Sequence, residues 1–301
     1  MAAENIFTKI EPKNELSLMA KIVKSMKKFI SLLVVLFFMY GSINAQDYIW
    51  AKNLEGGGSQ FEESKSIITD AAGNVYITGS IDGPAVDFDP GPGTATLQTS
   101  GNVYHPFFAK YDMNGNYVWA KLLSGGNGYS NSIALDASGN VYITGFRSGF
   151  VDFDPGVATV TLSGSAGTFF AKYDNGGNFL WAKGTSGAGN NEGRSITVDG
   201  SGNVHVTGFF YGTVDFDPGV SVANLTAAIV GPTQYSDVFI AKYDNSGNYI
   251  WAKNAGGSGN NRGNSLKVDG LGNVYVTGYF GNTTDFDPGP GTATLTSMDS
   301  R

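Results

Sequence analysis

Residues 132–145 read SIALDASGNVYITG, and the same pattern returns at 66–79, 195–208 and 265–278. Working outward from each copy, DFDPG follows at 87–91, 152–156, 215–219 and 285–289. Phe-(Phe/Ile)-Ala-Lys-Tyr-Asp begins at Phe107, Phe169 and Phe239, and Trp-Ala-Lys at Trp50, Trp119, Trp181 and Trp251 uses every tryptophan of the chain. The order never changes and equivalent residues lie 62–70 positions apart. Self-similarity at a fixed period is the mark of a repeat architecture, in which each unit buries its apolar face against the next.

Each unit reads as strands. In 237–244, Phe239, Ala241 and Tyr243 fall on one side of an extended chain, Val238 and Ile240 on the other. Both sides are largely apolar, as in strands covered on two faces by stacked sheets. No helical periodicity follows residue 46. The turns are equally explicit: Asp-x-x-Gly-Asn occurs at Asp70, Asp112, Asp136, Asp174, Asp199, Asp244 and Asp269. An Asp accepting from backbone amides two or three residues on, with a Gly free to take positive φ, closes a tight hairpin. In 136–140, Asp136, Gly139 and Asn140 therefore have structural roles as turn formers. Two hairpins per unit give four strands, and tandem four-stranded units predict an all-β chain with β-propeller architecture. A β-solenoid is the competing architecture. The tryptophans are expected to pack between blades, and losing one such ring should cost about 3–5 kcal/mol.

The tract S-I-(A/T)-(L/V)-D-x-x-G-N-V-Y-(I/V)-T-G resembles the bacterial β-propeller repeat called SBBP, over nearly all of 46–301. It is also similar to NHL-type propeller repeats and to the Asp-box of sialidases. DFDPG with FFAKYD and WAK resembles the version in large surface proteins of Gram-negative bacteria exported by the type IX route, which often end in a sorting domain; none is recognised here. The resemblance implies a secreted or cell-surface location and carries no catalytic residues.

Units of about 66–121, 132–183 and 195–253 are complete, whereas the copy at 265–301 lacks its second hairpin. Residues 87–97 and 285–295 are identical, DFDPGPGTATL, yet only the first is followed by FFAKYD. The orphan strand 47–52 either closes a four-bladed ring or belongs to a larger propeller of which this chain is a fragment; the fragment is expected.

Residues 1–45 differ from all of this. Met26-Lys27-Lys28 leads into the apolar run 29–40 and then into Ala45. A basic start, about a dozen apolar residues and a small residue describe a secretory signal cleaved after Ala45, with Met26 the expected start. The run is shorter than the roughly 20 residues of a membrane span. The 301 residues carry 19 basic and 26 acidic side chains, of which 6 and 3 precede Gln46, so the mature chain has 13 and 23, a net of −10. That balance argues against nucleic acid as a partner. With no Cys, disulfides and thiolate chemistry are excluded.

Candidate chemistry is sparse. In DFDPG, alternation puts both carboxylates on one face. Asp87 with Asp89, Asp152 with Asp154, Asp215 with Asp217 and Asp285 with Asp287 are candidate calcium ligands, although a solvated Pro-Gly turn accounts for the same residues. No other cofactor is expected. Repeated residues are scaffold first, so function is sought among the unrepeated polar ones: Glu55, Glu62, Glu63, His105, Arg147, Glu192, Arg194 and Arg262. His205 stands where other copies have Tyr76, Tyr142 and Tyr275, as a packing variant. No nucleophile, zinc or phosphate-loop motif appears. The expectation is a non-catalytic exported module serving in binding, adhesion or as a scaffold, with a protein or glycan held at the variable loops 98–106, 163–168 and 222–236. A propeller hydrolase or lactonase with a channel metal is the alternative.

Overall fold

The structure, a computed structural model, describes residues 49–56 and 62–298 apart from 84, 100, 102, 165 and 188, together with Lys24. The signal segment expected at 1–45 thus lies, but for Lys24, outside the described residues. A compact unit begins at Trp50, and the described part of it is all-β. Among the described residues no helix is long and apolar enough to cross a membrane.

The long strands form four antiparallel sheets in chain order. Sheet I holds β1 (Glu62–Thr69), β2 (Val75–Ile81), β3 (His105–Tyr111) and β4 (Tyr117–Leu122). Sheet II holds β5 (Gly125–Leu135), β6 (Val141–Val151), β7 (Ala166–Tyr173) and β8 (Phe179–Gly184). Sheet III holds β9 (Asn191–Val198), β10 (Val204–Phe210), β11 (Asp237–Tyr243) and β12 (Tyr249–Gly257). Sheet IV is the pair β13 (Arg262–Val268) and β14 (Val274–Tyr279). Each complete sheet is a meander of neighbouring strands, as two consecutive hairpins require.

The apolar alternation read from the sequence is what stacks the sheets. Phe169, Ala171 and Tyr173 turn one way from β7 and share a core cluster with Tyr76 and Phe108 of sheet I. Phe170 and Tyr142 turn the other way and join Phe239, Ala241 and Tyr243 of sheet III. The ring pairs repeat with the period: Phe108 lies 4.3 Å from Tyr173, and Phe170 lies 4.2 Å from Tyr243. Burying such side chains contributes about 2–3 kcal/mol each.

Two features join successive sheets at their first strands. Every first strand is bulged before its repeated serine, with register shifts at 64/66, 130/132, 193/195 and 263/265. The serine that follows each bulge accepts an amide from the first strand of the next sheet: Ser66 Oγ from Ile133 N at 3.3 Å, Ser132 Oγ from Ile196 N at 3.2 Å, and Ser195 Oγ from Leu266 N at 3.2 Å. The bulge also explains the final glycine of each GNVYITG-type tract. A Cβ at Gly79, Gly145, Gly208 or Gly278 would sit 1.8–1.9 Å from the carbonyl oxygen of Glu63, Tyr129, Glu192 or Arg262.

The DFDPG segments form short straps between the second and third strands. Val86–Asp87, Thr213–Asp215 and Thr283–Asp285 each pair with the chain that follows the preceding Trp-Ala-Lys. Residues 49–52 form no strand where one is expected, and no pairing joins 49–56 to sheet IV; Glu55–Gly56 pairs with the strap at Val86–Asp87. Trp50 is held by side-chain packing against sheet I.

Candidate functional site

The turn aspartates come first, because the structure consumes their hydrogen-bonding capacity. Asp136 Oδ1 accepts the amides of Ser138 and Asn140, both at 2.9 Å, and Oδ2 accepts Asn140 Nδ2 at 2.8 Å and the Tyr142 hydroxyl at 3.1 Å. Gly139 closes the turn with φ of 78°. Although partial burial opposes ionisation, these donors hold the Asp136 carboxyl below its ordinary value. The other six turns repeat the bonds from the amides two and four residues on.

The tryptophans hold the next sheet by a residue the motif treats as arbitrary. Trp119 Nε1 donates to the carbonyl of Asn175 at 3.2 Å, while Asn175 Oδ1 accepts the Tyr76 hydroxyl at 2.9 Å and Lys110 Nζ at 2.7 Å. One period later, Trp181 Nε1 donates to the Asn245 carbonyl at 3.1 Å, and Asn245 Oδ1 accepts Tyr142 at 3.1 Å and Lys172. Trp50 Nε1 donates to Met113 O at 3.2 Å in the same position. Trp251 lies edge-on to His205 at 6.4 Å, and none of the described residues accepts from its indole N–H. A clue was present: the residue after the turn Asp is Asn in two of three second-hairpin turns and in no first-hairpin turn.

The DFDPG carboxylates are committed to their own loops. Asp87 Oδ1 accepts the amides of Asp89 at 3.0 Å and Ala95 at 2.8 Å, and Asp89 Oδ1 accepts Gly91 N at 2.8 Å. Asp152 with Asp154, Asp215 with Asp217 and Asp285 with Asp287 repeat the arrangement. The Ala95 and Asp89 amides hold Asp87 below its ordinary value, as Ala293 and Asp287 do for Asp285. Calcium needs 6–8 oxygens. Among the described residues no three acidic or histidine side chains gather as a metal group. Two carboxylates with their Oδ1 atoms already accepting amides supply fewer oxygens than that shell.

The unrepeated polar residues do converge. Glu63, Tyr129, Glu192 and Arg262 stand three places before the repeated serine of each first strand; Lys65, Asn131, Arg194 and Asn264 stand one place before it, at the bulge. Lys65 Nζ is 3.5 Å from Glu63, donates to Asn131 Oδ1 at 3.2 Å and lies 4.3 Å over the Tyr129 ring. Glu192 accepts from Tyr129 and from Asn131, each at 3.0 Å, and pairs with Arg194 at 3.3 Å. Arg194 reaches Asn264 at 3.4 Å, and the Arg262 guanidinium rests 4.2 Å from the Phe209 ring. Burial first, and then the Glu192 charge, pushes the Tyr129 hydroxyl well up, so it donates at neutral pH. The result is a continuous polar ribbon across β1, β5, β9 and β13.

The variable loops lie at the same end of the sheets, since Glu62 pairs with Ile81, and Ile81 with His105. They are shorter than expected. His105 and Pro106 already pair in β3, and 166–168 already pair in β7; 222–236 contains Asn224–Thr226 and a small hairpin of Ile229–Val230 with Thr233–Gln234. Arg147 is buried and binds the carbonyls of Gly164 and Ser163, so it orders a loop. His205 is buried with Nε2 3.1 Å from Asp199, and His105 is buried beside the Leu123 carbonyl.

Residues 118–145, from β4 to the GNVYITG tract of sheet II, match a family model described as a beta-propeller repeat, SBBP. The chain is 26% identical over 265 residues to an uncharacterized WD repeat-containing protein, L264, of Acanthamoeba polyphaga mimivirus, covering 77% of this chain and 19% of that one. It is 25% identical over 201 residues to the regulatory protein FlaEY of Caulobacter vibrioides, covering 63% and 20%. The chain spans about a fifth of the length of these curated relatives. The chain is thus an all-β repeat protein, similar over 118–145 to a β-propeller repeat and over most of its length to a WD-repeat protein.

Proposed function

We propose that this chain is an exported, non-catalytic β-propeller binding module that engages a protein or a surface glycan at the end carrying the polar ribbon and the variable loops. The observation behind the reading is the ribbon: in a chain built of closely similar units, two equivalent positions on each of four first strands hold four different residue pairs, and seven of these eight side chains are joined into one network. Identity at a repeated position serves packing; variation there, on a solvent-reaching edge, serves recognition. A WD-repeat relative is in keeping with a protein partner. The glutamates a hydrolase would need do not favour turnover, because Glu192 is already bonded to Tyr129, Asn131 and Arg194.

The test probes arrays of extracellular proteins and glycans with the chain and with a Lys65→Ala, Arg194→Ala, Arg262→Ala variant. Loss of the wild-type partners with an unchanged melting temperature is expected; retention of every partner would remove the ribbon from the reading. Mass spectrometry of the exported chain should find Gln46 at its N-terminus, and retention inside the cell with 1–45 intact would refute export. Turnover in a metal-supplemented hydrolase screen would refute the non-catalytic assignment.

A further inference from the structure

Sheet III departs from the period at three neighbouring places. Asp237, the first residue of β11, stands where sheet I has His105 and sheet II has Gly167. Asn254, just after Trp-Ala-Lys, stands where they have Leu122 and Gly184, and Gly256 where they have Ser124 and Ser186. The three departures fit one another. Asn254 Nδ2 donates to Asp237 Oδ2 at 3.1 Å. The Asp237 carboxyl lies against the α-carbon of Gly256, where a Cβ would come within 1.9 Å of it. A serine there, as in sheets I and II, would displace the carboxylate.

This carboxylate is only half provided for. Asp237 is 3% exposed. The Ala228 and Gly257 amides and the Asn261 side chain stand near enough to favour its charge, yet none of the described residues bonds to its buried Oδ1. A buried carboxylate oxygen without a donor is a cost to the fold. Asp237 lines a cavity of about 280 Å³, with Thr226 of the loop 222–236, Asn254 and Gly256 of β12, and Asp285 and Asp287 of the DFDPG strap. Among the described residues lining it, none is basic. Asp285 and Asp287 are half-buried, as Asp215 and Asp217 are in the preceding strap. What sets this place apart is therefore Asp237 and the two residues that make room for it.

Two observations choose the ligand. The three carboxylates line one cavity without gathering, since among the described residues no three acidic or histidine side chains form a metal group. A point cation meets such acceptors one at a time, whereas a planar cation with donors on several edges reaches acceptors that stand apart. Sheet II shows that the scaffold houses such a group here. There Arg147 is paired across the strands with Gly167, as Phe210 is with Asp237. Its side chain runs past Gly184, the counterpart of Asn254, with Nε 3.6 Å from the place of a Cβ on that glycine, and ends on the carbonyls of Gly164 and Ser163. Sheet III replaces the arginine with a phenylalanine and the glycine with a carboxylate. We propose that the cavity at Asp237 receives a guanidinium from outside the chain, the arginine side chain of a partner polypeptide, with one edge on Asp237 and another toward Asp285 and Asp287. The site shares no residue with the ribbon and does not rest on it.

The experiment titrates the full chain with the α-acetyl amide of arginine and with that of citrulline, its neutral isostere, by isothermal calorimetry and amide NMR. Saturable one-to-one binding of the arginine probe is expected, with shifts concentrated in 226–228, 254–257 and 285–289. The citrulline probe should bind about tenfold more weakly or worse, as the loss of one charge-assisted pair implies. Asp237→Asn keeps an acceptor for Asn254 and removes the charge, so it should weaken the arginine probe by the same factor with no fall in melting temperature. No saturable binding, equal binding of the two probes, or undiminished binding by Asp237→Asn would overturn the proposal. The same shifts in calcium alone would overturn it in favour of a metal, and tighter binding of free arginine than of the capped probe would overturn the polypeptide source. The Lys65→Ala, Arg194→Ala, Arg262→Ala variant should bind the arginine probe as the parent chain does, so the ribbon and this site fail separately.

Discussion

Replacing Asn175 with alanine tests the clamp that Trp119, Lys110 and Tyr76 of sheet I close on this residue of sheet II. The side-chain oxygen accepts a buried tyrosine hydroxyl at 2.9 Å and a lysine at 2.7 Å. A neutral hydrogen bond contributes about 1 kcal/mol and a charge-assisted one about 1.5–3. Lys110 is half-buried, so its share belongs at the low end. Tyr76 keeps its bond to Asp70 at 3.2 Å, so it is not orphaned by the change. Asn175→Ala should therefore cost about 2 kcal/mol, or roughly 4–8 °C in melting temperature for a unit of this size. Asn245→Ala should cost more, because Lys172 is only 6% exposed and, although Asp136 stays 3.7 Å away, loses its hydrogen bond to Asn245 in a drier place. Urea unfolding is followed by circular dichroism and tryptophan emission together, which also checks that the stacked sheets unfold as one transition. A Tyr76→Phe, Asn175→Ala cycle should show about 1 kcal/mol of coupling. Asn114→Ala, at an exposed turn position, should be silent. A cost below about 0.5 kcal/mol for Asn175→Ala, or strict additivity in the cycle, would refute the clamp as the joint between sheets.

Three further outcomes follow from the same geometry. Gly145→Ala places a Cβ 1.9 Å from the Tyr129 carbonyl, a backbone atom that cannot step aside, so a loss on the order of 3 kcal/mol or more is expected in the same urea assay; a native-like midpoint would show that the bulge is not locked. Asp237 is buried at the start of β11, and desolvation outweighs its hydrogen bonds from Asn254 and neighbouring amides to raise its pKa from 3.8 to about 6. Its folded form then binds the proton more tightly than the unfolded chain does, so stability falls as pH rises from about 4 to about 6 and the penalty stays in full above that. Asp237→Asn should raise stability at pH 8 by about 1–2 kcal/mol and leave pH 3.5 unchanged, and a variant weaker at pH 8 would contradict the buried charge. Because the Oδ1 atoms of the DFDPG pairs already accept amides, melting should be the same in calcium and in chelator; a rise of several degrees in calcium would show that Oδ2 atoms and carbonyls complete a shell after all.

The strands, turns and stacking were legible because they rest on local rules repeated several times over. Alternation in 237–244 assigns Phe239 and Ile240 to opposite faces, and those faces meet different sheets. Asp-x-x-Gly-Asn announces its own amide acceptor and its own positive φ. The bulge was not legible. Its trace is the close approach of Gly79 to the carbonyl of Glu63, sixteen positions back on another strand, and a pattern of residue types records that contact only as an unexplained glycine. The asparagine of the clamp was hidden for the same reason, since its partners are separated from it by 65 and 99 positions.

The candidate site was legible in part, and the division follows from how a repeat protein is built. Glu63, Glu192, Arg194 and Arg262 could be singled out because they break the period, yet nothing in the order of residues says that they touch. Their meeting depends on the bulges, which turn Lys65, Asn131, Arg194 and Asn264 out of their ladders, and on the serine bonds that set each first strand against the next. The repeated residues thereby do two things at once. They stack the sheets, and they carry four positions that are free to vary into one row. A residue that packs between sheets must fit the volume left by both neighbours, whereas a bulged residue meets its neighbours only through polar contacts at the edge. Variation confined to the bulges and to the residue two places before them is therefore what this scaffold permits without loss of packing, and a surface that can vary at constant stability is where a repeat protein of this kind can acquire a partner.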